Sequence, residues 1–108
     1  MPEIVLVLTT VPDDDGADEV ARVLVEERLA ACVNVHGSMR STYRWKEKVE
    51  RDAERQIVIK TTRDRLRDLE TRLAALHPYE LPEFLVVAIE GGSQQYLEWV
   101  GNEVRRSG

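Results

Sequence analysis

Runs of apolar and polar residues divide the chain into short elements. "IVLVL" at 4–8 is continuously apolar and is stopped by Pro12, which predicts a short buried strand. Asp13, Asp14 and Asp15 follow, then an amphipathic stretch to about Leu29 with Val20, Val23, Leu24 and Ala31 on one side. One of the three carboxylates is expected to cap this helix. The others would lie in its first turn, where the dipole favours negative charge. Thr61 with Asp64 predicts a capping box, and Leu66, Leu69, Leu73 and Leu76 mark one face of a helix ending at His77, before Pro78. "FLVVAI" at 84–89 predicts a last apolar strand and "EGGS" a turn. Ser93 can then cap a short helix lined by Tyr96, Leu97, Val100 and Val104.

Between Ala31 and Thr61 the pattern predicts two long strands joined near Glu47. A three-residue loop at 46–48 sets Trp45 opposite Val49, Arg44 opposite Glu50 and Arg40 opposite Glu54; a shift by one would oppose Arg44 and Arg51. Opposite charges across strands help and like charges hurt, so the first register is expected. Strands of about 14 residues far exceed the usual length, so the hairpin should project past its own sheet and needs something to lie on. The order β-α-β-β-α-β plus a terminal helix is an α+β, ferredoxin-like pattern, with both helices on one sheet face. Because the first and last strands are apolar on both faces, the second face must also be covered, most economically by self-association.

Composition narrows the role. At 108 residues the chain is expected to form one domain, 1–108, near the size where oligomerisation helps. A net charge of −5 argues against nonspecific nucleic-acid or anionic-membrane partners. Residues 1–31 carry eight acids and two bases, whereas 40–72 carry eleven bases and seven acids. With acids so interleaved, the basic middle reads as an internally paired surface. The single cysteine, Cys32, suits a reducing compartment. Glu3 stands where a signal peptide would be positive, and no run approaches the length of a membrane span, so the expected location is cytoplasmic.

The candidate chemistry centres on "LHPYELPE" at 76–83, where two prolines pin His77, Tyr79 and Glu83. Neutral imidazole is a good ligand for copper or zinc, but nothing at i±3 or i±4 of His77 completes a chelate. Partners such as Glu54 or Glu83 would have to come from distant segments or from symmetry copies. The alternative is a histidine that caps or hydrogen-bonds at the helix end. Lys60, ending "IVIK", could reach the surface, pair with a carboxylate or hold an anion. Cys32 reads as a small core residue, His36 beside Gly37 as part of a strand bend, and Trp45 and Trp99 as packing or interface residues. An acid/base role for Glu54 or Glu83 with Tyr79 would require a displaced carboxyl pKa.

"LVEERLAACVNV", "SMRSTYRW", "IVIKTT", "LHPYELPEFLVVAI" and "YLEWV" resemble, in order, the CutA family of divalent-cation-tolerance proteins. The resemblance implies a ferredoxin-like subunit in a tight homotrimer, related in architecture to trimeric PII signalling proteins, with strands of neighbouring subunits extending one another's sheets. His77, Tyr79, Pro82 and Glu83 match the family signature. Cys32, Asn34, Ser41, Tyr43, Trp45, Glu54, Lys60, Thr61 and Trp99 match its other marked positions, which the resemblance places along intersubunit clefts. It further implies a non-enzymatic role in response to metal ions, no required cofactor, and weak binding of Cu(II) or another divalent metal. The alternative is a PII-like regulator taking a small anionic ligand. Thr9 stands where some copper-binding relatives have cysteine, and Leu76-His77 where they have paired histidines, so a strong Cu(I) site is not expected. The family's usual hairpin glycine is replaced by Glu47, so that turn must avoid positive φ or accept strain.

Overall fold

A computed structural model describes residues 3–105; residues 1, 2 and 106–108 of the expected domain lie outside the described part. The elements are β1 (Ile4–Pro12), α1 (Gly16–Glu26), β2 (Cys32–Trp45), β3 (Lys48–Thr62), a 3-10 turn (Arg63–Arg65), α2 (Leu66–Leu76), β4 (Leu85–Ala88) and α3 (Gln94–Glu103). The strands form one antiparallel sheet in the order β2-β3-β1-β4, so the expected order of elements is present.

Alternation along β1 and β3 sends Val7, Val11, Ile57 and Ile59 to one face, where Ala17, Val20 and Leu24 of α1 and Leu69 and Leu73 of α2 bury them. Leu66 and Leu76 flank this core half-buried. α1 stops at Glu26 because Arg28 takes a left-handed φ of 60°. The Leu29 and Arg28 amides then bond back to Leu24 and Val25, a Schellman ending with arginine where glycine is usual. On the opposite face α3 packs Val100 and Val104 against Ile4 and Ala31. Ser93 caps α3 as expected, its Oγ accepting from the Tyr96 amide at 3.2 Å.

The hairpin corrects the expected register. Trp45 pairs with Lys48, Arg44 with Val49, Tyr43 with Glu50, Arg40 with Ala53 and Met39 with Glu54. The loop is Lys46-Glu47 alone, with φ of 49° and 69°, as a two-residue type I′ turn requires. The twist match of that turn outweighs the strain of two non-glycine residues at positive φ. Cross-strand charge attraction does not set the register: from Lys48 to Arg55 each charged residue of β3 faces an uncharged one of β2. A bulge lies between Val35 and Ser38, putting His36 and Gly37 at a bend, as the sequence suggested.

Two capping expectations change. Thr61 is a buried strand residue whose hydroxyl donates to Leu29 O at 2.8 Å; Thr62 precedes the 3-10 turn and bonds Asp64 instead. Before α1, Asp14 accepts from the Gly16 amide at 2.8 Å, while Asp18 and Glu19 fill the first turn.

β1 ends at Pro12 opposite Glu54, so β2 and β3 continue beyond it as a two-stranded ribbon, and the chain measures 45 × 27 × 23 Å. β4, shorter than the 84–89 expected, lies at the sheet edge with Leu85 55% and Val87 42% exposed. No described helix is long and apolar enough to cross a membrane.

Candidate functional site

The prolines of "LHPYELPE" carry the chain off α2 and around the end of β1. As the residue before Pro78, His77 is extended (φ −82°, ψ 134°), which ends the helix and turns its ring inward. His77 is 8% exposed. Its Nε2 lies 2.7 Å from Thr10 O and its Nδ1 3.2 Å from the Tyr79 amide nitrogen. An amide N–H can only donate, so Nδ1 accepts and Nε2 carries the proton that Thr10 O receives. Both ring nitrogens of His77 are thus engaged within the chain. That is the hydrogen-bonding alternative weighed for this histidine.

Tyr79 continues the series. Its ring lies 4.8 Å from that of His77, and its hydroxyl donates to Glu54 Oε2 at 2.6 Å. Burial first, and then this bond to the carboxylate, push the phenol's pKa well above its usual value. A phenol so held is a hydrogen-bond donor at neutral pH, not a base. Gln56, two residues from Glu54 on the same face, donates to Thr9 O at 2.7 Å and to Glu83 Oε2 at 3.3 Å. Segment 77–83 is therefore fastened at three points, to Thr10, Glu54 and Gln56.

Between this segment and the hairpin lies an open cavity of about 690 Å³. Ser41, Tyr43 and Trp45 of β2 and Glu54 of β3 form one side, Tyr79 to Glu83 the other, and Thr10 the end. The two-residue turn decides this lining, because it brings Ser41, Tyr43 and Trp45 onto the face of Glu54. Tyr43 donates to Asp52, its diagonal neighbour, and that bond, with the nearby carboxylates, pushes its pKa up to about 12. Glu54 is 6% exposed. One of its oxygens is taken by Tyr79, and no donor among the described residues reaches the other. Glu80 and Glu83 share the lining, and among the described residues none of these three glutamates forms an ion pair.

Of the residues singled out in the sequence, Ser41, Tyr43, Trp45, Glu54, Tyr79, Pro82 and Glu83 meet here, while His77 stands behind the wall. Cys32 and Lys60 pair across strands farther along the sheet, where Lys60 Nζ lies 3.3 Å from Tyr96 Oη, and Tyr96 lies against Trp99. Asn34 pairs with Val58, and Thr61 is in the core. Thr10, Glu80 and Leu81 of the lining, and Gln56 and Asp52 behind it, were not anticipated. Strand alternation from Leu6 and Glu54 could have placed Thr10 and Gln56. Asp52 needed the correct register.

The comparisons with known proteins agree over nearly the whole chain. Residues 5–103 match the family model described as CutA1 divalent ion tolerance protein. The chain belongs to the CutA1 family. It is 44% identical to the divalent-cation tolerance protein CutA of Thermus thermophilus over 100 residues, covering 93% of this chain and 95% of that protein. It is 41% identical to the chloroplastic CutA of Arabidopsis thaliana over 105 residues, 97% of this chain but 57% of that longer protein. Among solved CutA structures, that of Xylella fastidiosa superposes with a TM-score of 0.92 at 44% identity, covering 95% of this chain and 99% of the other. CutA1 of Oryza sativa gives 0.94 at 38% identity, with coverage of 98% and 97%. The four-stranded antiparallel sheet with three helices is thus the architecture of the CutA1 structures.

Among the described residues no three of His, Cys, Asp and Glu gather as a metal-binding group. The donors near the cavity are carboxylate oxygens, with imidazole available only if His77 releases the Tyr79 amide.

Proposed function

We propose that the chain is a non-enzymatic, cytoplasmic homotrimer in the response to divalent cations, and that its cavity holds cations weakly. One observation carries this reading: Glu54, Glu80 and Glu83 share a cavity whose lining contains neither Lys nor Arg. Its uncompensated carboxylates favour a cation over an anion. A PII-like anionic ligand would find no positive group in that lining, since Lys60 is held at Tyr96. Glu54 and Glu83 supply the oxygen donors for a divalent metal. With His77 Nδ1 accepting from Tyr79, the imidazole is a latent ligand and not a preformed one. Two carboxylates without thiolate make a weak site, in which Cu(II) ranks above other first-row ions.

Calorimetry with Cu(II), Zn(II) and inorganic phosphate tests the reading. Weak Cu(II) binding is expected, abolished in Glu54→Gln with Glu83→Gln and retained in His77→Ala. Phosphate binding with no response to either metal would overturn it.

A further inference from the structure

The cavity is larger and more apolar than a metal ion needs. About 690 Å³ is the volume of a small-molecule site, and Trp45, Tyr43, Leu81 and Pro82 give it aromatic and apolar walls. Its charge comes from carboxylates, and the most enclosed of them, Glu54, keeps one oxygen without a donor among the described residues. A carboxylate oxygen on a cavity wall without a donor of its own is an acceptor that a charge-assisted N–H can take.

We propose that this cavity binds an organic cation, an alkylammonium or alkylguanidinium group, with its charged head between Glu54 and Glu83 and its stem on Trp45, Leu81 and Pro82. The proposal rests on the reading above that the cavity takes a cation, and adds which kind. Aromatic faces attract cations even at exposed sites, so Trp45 draws the ligand as well as packing its stem. Trp45 already attracts a cation at the exposed turn, where Lys46 Nζ lies 5.7 Å from its ring centroid. An ammonium brings three donors and a guanidinium five, against the open Glu54 oxygen and the Glu83 carboxylate. The stem, unlike a hydrated metal ion, gains from the apolar walls. Two sources share this chemistry: a free amine, or a Lys or Arg side chain of a second copy of the chain.

The test titrates the full chain with cadaverine and with n-butylguanidinium, following calorimetry and Trp45 fluorescence in a Trp99→Phe background. Cu(II) and inorganic phosphate serve as parallel arms. Saturable binding of either amine is expected, weakened at least about tenfold by Glu54→Gln and also by Trp45→Ala, and unchanged by His77→Ala. Glu83→Gln replaces Glu54→Gln if the latter fails to fold. Should neither free amine bind while Glu54→Gln and Trp45→Ala both weaken self-association in sedimentation, the source is the second copy's side chain and the cation site stands. Absence of both effects with Cu(II) still binding would overturn the organic-cation proposal and leave the metal reading intact. Phosphate binding lost in Trp45→Ala would overturn both.

Discussion

Tyr79 donates its phenolic hydrogen to Glu54 at 2.6 Å, tying the segment after α2 to the middle of β3. The bond links residues 25 apart in sequence and closes one wall of the cavity. Tyr79→Phe leaves the Glu54 carboxylate enclosed without its donor, at a cost expected to be about 1–3 kcal/mol. In a Glu54→Gln background the same change should cost less, because the two residues act as a pair. Denaturant unfolding at fixed protein concentration measures both, and strict additivity would show that the bond contributes nothing.

The two tyrosines also set an alkaline limit. Tyr43, held by Asp52, is pushed up to about 12, and Tyr79 is raised by burial and by Glu54, whereas unfolded tyrosines ionise near 10. Between those values the folded chain binds more protons than the unfolded one, so stability falls as pH rises. The contribution should be fully present below pH ~10 and lost as pH climbs through the folded values. Spectrophotometric titration should find two tyrosinates appearing late, one fewer in Tyr43→Phe. Ionisation of all tyrosines at their ordinary pH would contradict this.

Much of this arrangement was legible in the sequence, because periodicity reports burial directly. Leu69 and Leu73, and Val20 and Leu24, read correctly as the buried faces of their helices. The register was not legible, because charge pairing chose between two pairings and neither is the one found. A type I′ turn at Lys46-Glu47 carries no glycine or asparagine signal, so the two-residue loop left no mark in the pattern. The site suffered accordingly. Asp52 and Thr10 were missed, and His77, weighed as a ligand or as a hydrogen-bonding residue at the helix end, has both nitrogens committed to backbone groups that only the folded chain brings near.

The same turn makes a quantitative prediction. Lys46→Asn with Glu47→Gly installs residues that accept positive φ, and should stabilise by roughly 1 kcal/mol after allowing for the added freedom of glycine in the unfolded chain. Thermal unfolding checks this, and a loss of stability would mean that strain at 46–47 is negligible.

Thr9 offers a second gain. It is fully buried, and its hydroxyl has no partner among the described residues. Thr9→Val keeps the β-branched shape and removes the unsatisfied group, so the variant should be more stable by about 1 kcal/mol. A destabilised Thr9→Val would indicate that the hydroxyl is satisfied in solution.

Assembly is the widest-reaching expectation. β4 lies at the sheet edge with Leu85 and Val87 both exposed, pairing with Leu8 and Leu6 of β1. An unprotected apolar edge of this kind is a template for association, and among the described residues the ribbon beyond Pro12 has no third strand to lie on. A trimer that buries more than ~2,000 Å² per interface would cover both, and should persist at micromolar concentration. Leu85→Asp with Val87→Asp places two charges in that contact and should shift sedimentation towards the monomer, while circular dichroism reports whether the sheet survives. A wild-type chain that sediments as a folded monomer at micromolar concentration would exclude the trimer, whatever the variant does.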